Sequence, residues 1–89
     1  MDDASFIIRG LTTHGSRFRP SDWADRLAGA FAVIDPNNRT NYSPYVQPTK
    51  IDGIPCVLVN KQLLASDPNA FRFLQNFAAS NELLTEKTD

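Results

Sequence analysis

The chain has 89 residues, 42% of them hydrophobic and 21% charged, and nine basic against ten acidic side chains leave a formal charge of −1. That length holds one small core and leaves no room for a second, and the composition is that of an ordinary globular domain. The charge balance excludes a polybasic arm or an acidic nucleic-acid mimic as the main theme, while one cysteine and one histidine exclude an internal disulfide framework and an ordinary structural zinc site.

The first residues, Met1-Asp2-Asp3, are acidic where a secretory signal would be basic. The longest uncharged, mostly apolar run, Leu27 to Ile34, falls far short of the roughly 20 residues that span a bilayer. With a lone thiol, the expected compartment is the cytoplasm.

In chain order, Phe6 to Thr12 is rich in apolar and β-branched residues and reads as a strand. Thr13-His14-Gly15 is a turn signal, and Ser16 to Arg19 alternates polar and apolar, which predicts a short returning strand ended by Pro20. A helix is predicted next, with Ser21 as N-cap, Asp22 and Asp25 in the first turn, and an apolar stripe of Trp23, Leu27, Ala30, Phe31 and Ile34. Asp22 and Arg26 stand four apart and can pair, and Asp35-Pro36-Asn37-Asn38 should stop the helix.

Tyr45 to Ile51 and Ile54 to Val59 are β-prone runs joined by Asp52-Gly53, the strongest short hairpin signal in the chain. Pro48 cannot donate to a ladder, so the first of these strands should have an open edge there, and Cys56 to Val59 should be a central strand. Asn60-Lys61-Gln62 reads as a turn. A second helix follows, capped by Asp67 with Pro68 at its first position and Asn81 as a left-handed stop. Its apolar face is Ala70, Phe73, Leu74, Phe77 and Ala78, with Phe71 at the margin. The predicted architecture is a single α+β domain over residues 1–89, in the order β(β)αββα, with two helices on one face of a small antiparallel sheet. Its ordered core should run from about residue 5 to 84, with 85–89 frayed.

The stretch from Gly10 to Gly29, and above all Phe18-Arg19-Pro20-Ser21-Asp22-Trp23, is similar to the signature of a small proteobacterial family known as domain of unknown function 3579. Arg39, Tyr42-Ser43-Pro44, Pro48, Gly53, Cys56, Leu63, Phe73, Phe77, Ala78 and Asn81 also fall where that pattern puts them. The resemblance runs from about Phe6 to Leu83. It implies a compact α+β domain in a bacterial, cytoplasmic setting and supplies no activity.

Cys56 lies in the most apolar strand and reads as a small buried hydrophobe, with His14 in a distant turn, so a nucleophile–base pair is not expected. Asp22, Asp25 and Asp35 are explained by the ends of a helix. Six of the nine cations are arginine, and residues 4–21 contain no acid. Arg9, Arg17, Arg19 and Arg39, with Tyr42 and Tyr45 at a loop-to-strand junction, therefore form the candidate binding surface; arginine makes planar, bidentate contacts to phosphate and carboxylate. The sequence reads as a non-enzymatic binding or adaptor domain acting through this arginine and tyrosine surface or through self-association. The alternative is a weak binder of nucleic acid or an anionic ligand through the first hairpin, and a more distant one is an enzyme using Asp22, His14 or Cys56. No cofactor or metal is called for. The expected partner is another protein, with a second copy of the chain or nucleic acid as the alternatives and no membrane.

Overall fold

The structure, a computed structural model, describes residues 4–20, 22–34, 36–37 and 40–88. The predicted N-cap Ser21, the stop residues Asp35 and Asn38, and Arg39 lie outside the described residues.

Strand β1 (Phe6–Thr12) is followed by helix α1 (Trp23–Gly29), the two-residue strands β2 (Val33–Ile34) and β3 (Thr40–Asn41), and the hairpin β4 (Val46–Ile51) and β5 (Ile54–Val59). Helices α2 (Gln62–Ser66) and α3 (Pro68–Ser80) and strand β6 (Leu83–Lys87) complete the order. Four strands form one antiparallel sheet in the order β4-β5-β1-β6, while β2 and β3 pair with each other. The α+β class, the antiparallel sheet and the packed helices agree with the sequence reading.

The hairpin follows from its turn. Asp52 and Gly53 take φ of 53° and 78°, the left-handed pair that a tight two-residue turn of the right twist demands. The Tyr45 carbonyl accepts from the Asn60 N–H at 2.8 Å. Antiparallel alternation then turns the backbone N–H and C=O positions of Val46, Pro48 and Lys50 toward the open edge, so Pro48 sits on an edge strand with its nitrogen facing away from β5.

Inward positions alternate along each strand: Phe6 and Ile8 on β1, Val57 and Val59 on β5, Val46 on β4, all buried. Against them lie Trp23, Ala24, Leu27 and Ala28 of α1, Leu63 of α2, and Ala70, Phe71, Leu74 and Ala78 of α3. Phe6 meets Phe71 edge-on at 5.6 Å.

Several expectations need correction. Ser16 to Arg19 forms only an isolated bridge, Arg17 to Leu11, because the chain leaves the sheet again at once. Helix α1 ends at Gly29, six residues before Asp35; Ala30 is exposed, and the backbone at Ile34 belongs to β2. Its N-cap is Asp22, without a side-chain cap bond, because that carboxylate is taken by Arg26 Nε at 2.8 Å.

In α3 the predicted cap is present, with the Asp67 carboxylate accepting from Ala70 N–H at 3.1 Å and Pro68 beside it. The apolar stripe is rotated: Phe71 is 1% exposed and Phe73 is 50% exposed. Asn81 is not left-handed (φ −99°); the left-handed step falls on Glu82, φ 54°. That step reverses the chain, and Leu83–Lys87 pair with β1, so that Thr85 to Lys87, expected to fray, lie in the ladder with Phe6 opposite Lys87 and Ile8 opposite Thr85.

Between Ile8 and Thr12 the pairing with β6 shifts register. Gly10 lies inside that irregularity, and a Cβ there would collide with the Pro55 carbonyl and stand 3.2 Å from both the Ile54 side chain and Trp23 Nε1. Gly10→Ala should therefore cost about 1–3 kcal/mol, because a backbone carbonyl cannot swing aside as a side chain can. Urea unfolding should also separate two phenylalanines: Phe71→Ala should lose about 3–5 kcal/mol, and Phe73→Ala clearly less, on the order of 1 kcal/mol.

Candidate functional site

The segment after β1 is held by backbone bonds from Thr12 N–H to the Ser16 carbonyl at 2.8 Å and from Phe18 N–H to the Gly10 carbonyl at 2.9 Å. Phe18 turns inward, its ring edge-on to Trp23 at 5.4 Å and to Phe77 at 6.0 Å. Because neighbours in an extended segment point to opposite sides, Arg17 and Arg19 share the outward side, opposite Phe18.

Both arginines line a cleft of about 510 Å³, in the range of ligand sites. Its floor is Gly10 with Ile54 and Pro55 of β5, and its other walls bring Lys50 from β4 and Asp22 and Asp25 from the start of α1. All five charged side chains belong to exposed residues. Asp22 is committed to Arg26. Arg17, Arg19, Lys50 and Asp25 make no ion pair among the described residues. Trp23 Nε1 is buried beside Gly10 without a hydrogen-bond partner among the described residues.

The other candidates lie elsewhere. Arg9 alternates to the face of the sheet away from the helices, where Nη1 meets Glu86 Oε1 at 2.8 Å and the side chain is 15% exposed. It is therefore a structural cation and does not line the cleft. Tyr42 is exposed but lines no part of the cleft, and Tyr45 is partly buried against the core. Arg39 is outside the described residues. Lys50 was missed by sequence reasoning, which had no local signal to bring it from the second hairpin to the first.

Cys56 and His14 are not brought together. The thiol is fully buried and donates to the Ile54 carbonyl at 3.3 Å, whereas His14 Nε2 stands 3.7 Å from Glu82 in the exposed turn. Among the described residues, no group of three or more His, Cys, Asp or Glu is placed to hold a metal ion. No helix among them is long and apolar enough to cross a membrane.

A family model described as a protein of unknown function, DUF3579, matches residues 2–88. The chain belongs to that family. A solution structure described as the first structural representative of its family is 36% identical, with a TM-score of 0.87, over 99% of this chain and 82% of its own. No curated protein matches the chain. The family thus establishes the fold and assigns no activity.

The burial of Cys56 carries a direct test. A thiol reagent at neutral pH should leave native protein unlabelled and label it once denatured. Fast labelling of the folded protein would contradict the placement of Cys56 within the sheet.

Proposed function

We propose that the protein is a non-enzymatic, cytoplasmic binding domain that holds an acidic side chain of a partner protein between Arg17, Arg19 and Lys50. The observation that carries this reading is three cations, none in an ion pair among the described residues, around one cleft of ligand size. Two of them are arginines, whose planar forks bind a carboxylate bidentately, and charge-assisted bonds of this kind are the strong ones. Nucleic acid fits the same cleft less well. Asp22 and Asp25 stand on its wall, where a continuous phosphate backbone would meet them. Self-association would use a different surface, the sheet face away from the helices, where Leu58 and Leu84 are exposed.

Titration with a short glutamate-containing peptide, followed by calorimetry at low and at moderate salt, tests the reading. Binding should weaken as salt rises, and the double variant Arg17→Ala with Arg19→Ala should lose at least tenfold in affinity. The thermal midpoint of that variant should move by no more than a few degrees, since both side chains are exposed. Equal binding by wild type and double variant would refute the assignment. Tight binding of single-stranded RNA with no binding of the peptide would transfer the site to nucleic acid. A mass that doubles with protein concentration would favour the self-association surface.

A further inference from the structure

We infer that the cleft selects a segment of mixed charge, one that presents a basic side chain together with its acidic one, and that Asp25 is the residue that reads the base. This rests on the reading of the cleft as an acid-binding site and adds what the acids of its lining do. The two carboxylates there are not equivalent. Asp22 Oδ2 accepts from Arg26 Nε at 2.8 Å, and that pair is internal to the α1 region. Asp25 is exposed, lines the cleft and makes no ion pair among the described residues, although three cations line the same cleft.

An acid left open on the wall of a cationic cleft has two consequences. Toward a uniformly anionic ligand it is repulsive, and it subtracts from whatever Arg17, Arg19 and Lys50 provide. Toward a ligand with an ammonium or guanidinium group near its carboxylate it is attractive, and the same site then gains at both ends. Like charges across an interface suppress wrong partners as strongly as opposite charges favour right ones. Within a cleft of about 510 Å³ a few residues of a peptide fit, which is enough for one acidic and one basic side chain.

The test uses two capped peptides, one carrying two glutamates and a lysine, the other identical but with glycine in place of the lysine. Trp23, the single tryptophan of the chain, stands beside Gly10 of the cleft floor and supplies the emission signal, with calorimetry as the second readout. Wild type should bind the lysine-containing peptide at least threefold more tightly. Asp25→Asn should remove or reverse that order, weakening the mixed peptide and tightening the all-acidic one. The opposite movement of two affinities is something a loss of folding cannot produce. An unchanged preference in Asp25→Asn, or a wild type that prefers the all-acidic peptide, would overturn the inference while leaving the acid-binding reading intact, provided that Arg17→Ala with Arg19→Ala still abolishes binding. Failure of both peptides to bind wild type at low salt would overturn both.

Discussion

Where β1 passes Gly10, the Pro55 carbonyl, the Ile54 side chain and the Trp23 indole all converge on the space that a side chain would occupy. Helix and sheet are in close contact there, and the arrangement around the cleft depends on it. Trp23 reaches the sheet only because the strand beneath it has no Cβ at that point. The same stretch of β1 carries the register shift against β6, so the strand changes course as it passes the contact. Its far end bridges to Arg17. A glycine chosen for packing thereby also sets the floor of the cleft and the position of its cationic wall.

Helix α1 could not hold that wall by its own propensity. A seven-residue helix in isolation is marginal, so its persistence here comes from packing, by the buried Ala24, Leu27 and Ala28 and by the aromatic contacts of its first residue. Trp23 stacks on Phe77 of α3, with centroids 6.1 Å apart and planes 16° from parallel, and Phe18 sets its edge against both rings. Such pairs contribute about 0.5–1.5 kcal/mol each beyond the area they bury. Phe18 is the residue between Arg17 and Arg19, so the contacts that dock the helix layer also fix the two arginines. The chain of rings continues outward through Phe73 to Phe31.

What could be read in the sequence was whatever is encoded locally. The Asp52-Gly53 turn, the Asp67-Pro68 helix start and the Asp22–Arg26 pair each depend on residues within four positions of one another, and each is present. Features that depend on distant partners were not legible. Residues 85–87 read as the start of a frayed tail because their ladder partner is β1, at the other end of the chain. Phe71 and Phe73 are interchangeable as helix-face hydrophobes until the sheet decides which one meets Phe6. The division among the cations follows the same rule. Arg9 is neutralised by Glu86, 77 residues away, and Lys50 joins Arg17 and Arg19 only through the sheet and the bridge. An acid-free stretch of sequence was thus a sound guide to two of the cleft residues and a misleading one for Arg9.

The edge of β4 adds a last constraint on how anything can be recognised beside the cleft. Val46, Pro48 and Lys50 are the outward-facing backbone positions of that strand. The Val46 N–H is already taken by the Ser43 carbonyl at 3.2 Å, and Pro48 has none, so Lys50 alone offers an outward donor. A peptide that extended the sheet along this edge would meet outward carbonyls but a single N–H, so its ladder of main-chain bonds would be incomplete. Pro48, which interrupts the donors of that edge, also lines the cleft beside Lys50, so one residue both weakens the edge ladder and shapes the neighbouring surface.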